Sequence, residues 1–545
     1  MGSNFNIIFK HNSILTRFAL FAIILSINLQ CTLQNNSIDQ FATVEATCVY
    51  NLDSRSHYTC TIKNTTVLNP TDVLTIVGTH LPGYTDINVQ RVSHDAISIR
   101  YFNGEVFRKF SNIKNFDLFN QGLREISATA FEVCPNLEEI LIGFHNQHTA
   151  LPPQMMKNCG KLKSFIAIYN NFTEISMNFF GLTTNLEQFY VFNNHLTSLP
   201  EDLLQNMRNL TKFDVSSNFL TELSPNLLKN CPNLEQVFVG LNSFVDQYAV
   251  TNALNGFINL RILNIAGNNF TNFDFTFFEQ FQKLERLAAG STNGPQLTGI
   301  TWQSLPSSLV ELSIEGIGEE LPENAFDKLV NLISLSLTGS GIENLQKNTF
   351  KPLSNLLELY IDNTNIKVLH PEIFINQINL RTINLSDNKI EELPAGIFTP
   401  LVNLGIGSTF QGIRMDRNNL KRLNANSFGQ HPHVQFISFN QNKINEIERG
   451  IFSKFHQNLT TASFWSNVCI DRSFRYSSNL DQNENLLWCF NNWAGITTTT
   501  TSTTTTKQPS PTTTPGECGN SFRKLEIFGI ILIGFVGFFM NFCMQ

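Results

Sequence analysis

Two distant lines of this sequence are nearly the same line. Leu210 to Leu223 reads L-T-K-F-D-V-S-S-N-F-L-T-E-L, and Leu380 to Leu393 reads L-R-T-I-N-L-S-D-N-K-I-E-E-L. Both fit L-x-x-L-x-L-x-x-N-x-L-x-x-L with apolar swaps. The same start recurs at Ile113, Leu137, Leu162, Leu186, Leu210, Leu234, Leu260, Leu284, Leu309, Leu332, Leu356, Leu380, Phe410 and Val434, mostly about 24 residues apart, with a partial unit at Leu459. A repeat of this length is one supersecondary unit per period. It is far from the periods of about 3.6 or 3.5 residues that mark a surface helix or a coiled coil.

Each unit has to be a coil that leans on its neighbours. Side chains alternate along a strand, so Phe213 and Val215 point into the coil and Asp214 points out. A single coil cannot bury its apolar positions, and stacking buries them all in one column. The turn asparagines Asn170, Asn194, Asn218, Asn242, Asn268, Asn388, Asn418 and Asn442 fall inside. An unpaired buried amide is costly, so each is expected to satisfy backbone groups where the chain leaves its strand. A second apolar column lies eighteen residues after each start: Phe131, Phe180, Leu204, Leu228, Phe278, Phe350, Phe374, Phe398, Phe428 and Phe452, with Phe326 joining from a shorter repeat. Each ring buries about 150–250 Å² of surface opposite the strands. The pattern breaks at Val245 to Phe257, Ser291 to Leu305 and Gly405 to Thr409, which read as surface loops.

The repeated line resembles the leucine-rich repeat family over roughly residues 113 to 467. The resemblance implies an α/β solenoid, a horseshoe of about 14 repeats of about 24 residues with a parallel sheet on the concave face. It implies a binding protein that meets a protein ligand through that face, with no cofactor.

Composition agrees with a repeated core. The chain of 545 residues holds 48 Phe but 9 Tyr and 4 Trp, and 15% of its residues are charged. So many rings exclude a disordered chain. Two short apolar runs exclude a polytopic membrane protein. A net charge of −7 argues against a nucleic-acid binder.

Both ends read as address labels. Phe18 to Leu29, an apolar run behind Lys10, His11 and Arg17, fits a secretory signal peptide. Thr497 to Thr514 is a Thr-rich, O-glycosylated stalk by composition. Small residues and the apolar tail Ile527 to Met544 follow, the order of a GPI-attachment signal. Gly519 fits the attachment rule best, with Gly516 as the alternative. A retained single-pass helix is the rival, but Arg523 and Lys524 precede the run and nothing basic follows it. The expected organisation is a signal peptide over 1–31, an N-terminal cap region over 32–112, leucine-rich repeats over 113–458, a C-terminal cap over 459–494, a stalk over 495–518 and an attachment signal over 519–545.

A secreted chain favours disulfides, and an end coil needs a cap, so Cys48 is expected to pair with Cys60 and Cys469 with Cys489. Cys134, Cys159 and Cys231 read as small buried apolar residues, with a Cys134–Cys159 bond between adjacent coils as the alternative. Sequons occur at Asn35, Asn64, Asn171, Asn209, Asn269, Asn384 and Asn458, and a glycan on Asn384 would obstruct the C-terminal half of the concave face.

The first six coils place apolar residues at outward strand positions, which should face solvent: Phe119, Leu141, Phe144, Ile166, Ile168, Tyr169, Tyr190, Phe192, Phe238 and Leu241. Later coils place mostly small polar and acidic residues there, with Glu315, Tyr360, Asp362, Asp387 and Asp416. Such a cluster marks a ligand-binding site or packs upon itself and the cap. His431-Pro432-His433 reads as a surface turn rather than a metal site. There is no P-loop, H-E-x-x-H or C-x-x-C pair, and carboxylates are scattered. The leading expectation is a cell-surface recognition protein without a signalling domain, tethered by lipid. Its partner would be an extracellular protein or a neighbouring cell, with a transmembrane co-receptor carrying any signal. The alternatives are an innate-immune protein or co-receptor that binds microbial lipid or glycan and, last, an enzyme.

Overall fold

The computed structural model describes residues 43–494 apart from 55–56, 64–65, 68–72, 95–97, 100, 120–121, 144–149, 182, 292–293, 319, 408–411 and 476–479. The signal, stalk, tail and lipid-attachment residues, with Asn35 and Asn64, lie outside the described residues. The described residues fall within one compact unit.

The repeat positions build a parallel β-solenoid of about 14 turns, one short strand per turn. Its strands share a sheet of 20. Equivalent positions pair without slippage: Leu141 with Ile166, Ile166 with Tyr190, Tyr190 with Asp214, Asp214 with Phe238 and Phe238 with Asn264. In-register pairing follows from the constant spacing, since a one-residue slip would turn a coil's apolar set outward. The outer wall returns mostly in turns and short 3-10 segments. Among the described residues of the repeats the one α-helix is Tyr248–Leu254, inside the first sequence break, with Val250 and Leu254 buried.

The ladder also runs upstream of Ile113. Strand Arg91–His94 pairs in parallel with Asn115–Phe119, Val92 against Phe116. Further back lies the hairpin Thr43–Leu52 and Tyr58–Lys63, closed by Cys48–Cys60, with Val73–Val77 on its free edge. At the other end Ser473–Arg475 pairs antiparallel with Thr461–Ser463, and Cys469–Cys489 fastens the helix Leu487–Trp493. Among the described residues both ends of the sheet thus stop at a strand that no further coil extends, and a disulfide lies close to each end.

Two aromatic ladders run inside. In the strand column Phe165, Phe189 and Phe213 stack with centroids 5.9 Å apart at each step. In the outer column Phe326, Phe350, Phe374 and Phe398 stack at 6.2, 6.1 and 6.4 Å. Trp302 fills the same column eighteen residues after Leu284 and meets Phe326 edge-on at 5.5 Å. The sequence search for Phe and Leu passed over this Trp.

The turn asparagines do more than close their own turn. Asn218 Nδ2 donates to Val215 O and Ser216 O of its own coil and to Val191 O of the coil before. Its Oδ1 accepts from Leu196 N, also in the coil before. Asn194, Asn242, Asn388, Asn418 and Asn442 repeat the pattern, so the amide is a rivet between coils. Ser340 and Thr364 stand in the same place in two coils, where Ser340 Oγ accepts from Ile317 N and Thr364 Oγ1 donates to Asn388 Oδ1. A second row of Asn, exposed or half-buried, precedes the repeat starts. Asn136, Asn185, Asn233, Asn331, Asn355 and Asn379 each donate to a carbonyl of the previous coil.

The cysteine alternative resolves in favour of the bond: Cys134 and Cys159 are joined across adjacent coils, with Cα atoms 5.0 Å apart. Cys231 is free and buried, and burial pushes its thiol up to about 12. His431 corrects the expected surface turn. It is fully buried, stacked on Phe455 at 5.9 Å, while His433 is exposed.

Candidate functional site

The sheet has a core-facing side and an open side. On the open side one residue per strand forms a continuous row: Asp117, Leu141, Ile166, Tyr190, Asp214, Phe238, Asn264, Ala288, Ser313, Ser336, Tyr360, Asn384, Arg414 and Ser438. Leu141, Ile166, Tyr190 and Phe238 gather in its first half, among Asp117, Asp214 and Asn264, and its second half is mostly polar. The row two residues further along carries Ile168, Phe192, Ser216, Gly240, Ala266, Gly290 and Glu315. Small side chains from Ser216 to Gly290 leave a low floor between Phe192 and Glu315. Gly240 has no room for more: a β-carbon there would lie 2.6 Å from Asn264 Oδ1.

The expected site residues divide. Tyr190 and Phe192 are half-buried, and Tyr169 meets Phe192 edge-on at 5.5 Å. Tyr169 and Leu241 stand at the strand ends with positive φ, 40% and 42% exposed. Ile168 and Phe238 do not face solvent as expected: each is 2% exposed, although neither belongs to the solenoid core. Their backbone positions point outward, and neighbouring side chains on the open face cover them. Leu141 and Ile262 are buried there in the same way. Phe119 ends the strand Asn115–Phe119; its side chain and all of Phe144 lie outside the described residues.

Two further contributors lie outside the apolar strand positions: one is past the strand and the other is polar. Phe219 is 52% exposed just past the turn and stacks on His195 at 5.6 Å. Asp214 lies in the middle of the apolar row, between Tyr190 and Phe238, yet is 4% exposed. Its Oδ1 accepts from Ser216 N at 2.9 Å and Ser216 Oγ at 2.6 Å. Burial pushes its carboxyl up to about 6 despite those bonds.

The second half carries its own charges. Thr338 Oγ1 donates to Asp362 Oδ1 at 3.2 Å, Asn440 N to Asp416 Oδ1 at 2.6 Å, and Arg417 pairs with Asp387. Burial raises Asp362 to about 6 and also raises Glu311, Glu358 and Asp416. Asn384 is half-buried, whereas Asn171, Asn209, Asn269 and Asn458 are exposed. Among the described residues no three His, Cys, Asp or Glu converge to hold a metal ion. No helix among them is long and apolar enough to cross a membrane.

This geometry defines a class: a solenoid that offers one long open sheet. Family patterns agree with that class. The leucine rich repeat pattern matches residues 184–244 and 354–405, and the BspA type leucine rich repeat region, of six copies, matches 48–163, 84–200 and 407–483. The chain is a leucine-rich repeat protein. No curated protein sequence matches it. Among solved structures it is similar to a leucine-rich repeat protein of Leptospira interrogans, at 20% identity and a TM-score of 0.56 over 70% of this chain and 91% of that one. It is also similar to an internalin of Listeria monocytogenes, at 18% identity and 0.47 over 66% and 88%. A third is Toll in its complex with Spätzle from Drosophila, at 17% identity and 0.49 over 71% and 62%. At such identities the likeness is one of fold.

Proposed function

We propose that this is a recognition protein of the outer cell surface that binds a protein partner through the N-terminal half of its open sheet face. One observation carries the reading. Leu141, Ile166, Tyr190 and Phe238 hold four of five consecutive places in the outward row, with Asp214 between the last two, and Phe192 flanks them, where later strands place mostly Ser, Asn and Arg beside Tyr360. Aromatic anchors on a rigid platform are what interfaces use for their central contacts. A lattice of riveted coils holds them at little entropic cost on binding. The lipid tether belongs to the same reading and rests on the tail sequence.

The test is a binding screen of the protein against a library of extracellular proteins, repeated with Tyr190→Ser combined with Phe192→Ser. Binding should fall at least tenfold with the fold intact by circular dichroism. Undiminished binding by the folded double variant contradicts the assignment. Release of the protein from cells by a phosphatidylinositol-specific phospholipase tests the tether, and retention contradicts it.

A further inference from the structure

Asp214 is a charge set where a charge is costly. It occupies the outward row between Tyr190 and Phe238, is 4% exposed, and has no ion pair among the described residues. Lys212, on the same face of its strand, makes none with it. The flanking strands present Gln188 and Tyr190 on one side and Gln236 and Phe238 on the other, so no second carboxylate or counter-ion faces it from either strand. A buried carboxylate without a counter-ion is unfavourable.

Local structure does not require the charge. The hydrogen bond from Ser216 N to Asp214 Oδ1 closes the end of the strand. The same bond is made two and seven turns further on by amides: Ala266 N donates to Asn264 Oδ1 at 3.0 Å, and Ser386 N to Asn384 Oδ1 at 3.1 Å. Asn at 214 would serve the turn equally well. Both bonds to Asp214 end on Oδ1, which leaves Oδ2 for a partner.

We propose that Asp214 is the charge-reading residue of this face, and that its partner is a protein segment presenting one Lys or Arg flanked by apolar residues. The inference rests on the proposed binding role of the face and specifies its chemistry. Apolar flanks of the partner cover Tyr190 and Phe192. The cation meets Oδ2 in a site drier than bulk water, where a charge-assisted hydrogen bond is strong. A neutral or acidic segment in that place strands the carboxylate and is rejected. Burial raises the Asp214 carboxyl, so acidification removes the negative charge the cation requires. Affinity therefore falls as the solution is taken from neutral pH to about pH 5.

A random dodecapeptide display library selected on the full chain tests this. The winning peptides are resynthesised with the cation intact and with Gln in its place. They should carry Lys or Arg beside aromatic or branched residues, lose at least tenfold in affinity with Gln, and lose as much on Asp214→Asn. The cationic peptide should bind wild type at least threefold more weakly at pH 5 than at pH 7.5, and Asp214→Asn should bind it equally at both. Peptides that are lost on the Tyr190→Ser, Phe192→Ser variant but contain no cation, or bind Asp214→Asn as well as wild type, overturn this inference and leave the binding face standing. A library in which nothing depends on Tyr190 and Phe192 overturns both.

Discussion

At the scale of single residues, three titratable groups shifted by burial give stability a pH dependence of mixed sign. His431 is held down to about 4, chiefly by burial among apolar side chains. Its unfolded value is near 6.5, so between about pH 6.5 and 4 the unfolded chain binds the extra proton and stability is lost as pH falls. Asp214 and Asp362 are raised to about 6. Between about pH 4 and 6 the folded chain holds their protons, and stability is lost as pH rises. His431→Leu should therefore lose less stability between pH 6.5 and 4 than wild type does, by about 2–3 kcal/mol in denaturant titrations. Parallel losses in the two proteins contradict this assignment. Asp214→Asn should be more stable than wild type at pH 7.5, by about 1–3 kcal/mol, with the gain shrinking towards pH 4.5. A variant that melts below wild type at pH 7.5 would show that the carboxylate has a stabilising partner.

At the scale of the coil, stability comes from contacts made once per turn. Phe350 stacks on both Phe326 and Phe374 and is fully buried. Phe350→Ala should cost about 3–5 kcal/mol, read from the unfolding midpoint. Asn218 serves one donor and three carbonyls across two coils. Asn218→Leu leaves these groups unpaired, at about 1–3 kcal/mol for each that water cannot reach. A cost under about 1 kcal/mol would mean that water enters the turn. The Cys134–Cys159 bond closes a ring across two coils with a sequence separation of 25. Replacing both by Ala should cost about 3 kcal/mol in the chain-entropy account.

The coil was the most legible unit, because its positions are fixed by a pattern written many times. Trp302, Ser340 and Thr364 were less so, since each fills a place with an unusual residue that only its neighbours' spacing reveals. The coil at Arg91–His94 was missed for a related reason: its Val89 and Val92 are apolar but its line lacks the Leu pattern. Cys134 could pair or simply pack, and the choice depended on which coil faced it.

At the scale of the whole solenoid the open face is asymmetric, apolar toward the N-terminus and charged toward the C-terminus. Here sequence reading reached the row but not the depth of its members. Alternation says that Ile168 and Phe238 point outward. It does not say that neighbours cover them, since burial on a sheet surface depends on side chains two strands away. Asp214 was overlooked because a polar residue at an outward position looks ordinary until its 4% exposure is known.

The central claim is that recognition belongs to the N-terminal half of this face. It is tested most directly by measuring partner affinity for two double variants side by side, Tyr190→Ser with Phe192→Ser and Tyr360→Ser with Asp362→Ser. Both change half-buried positions of the same sheet, about seven strands apart. The first should lose at least tenfold in affinity and the second less than twofold. The reverse order, or equal losses, contradicts the account.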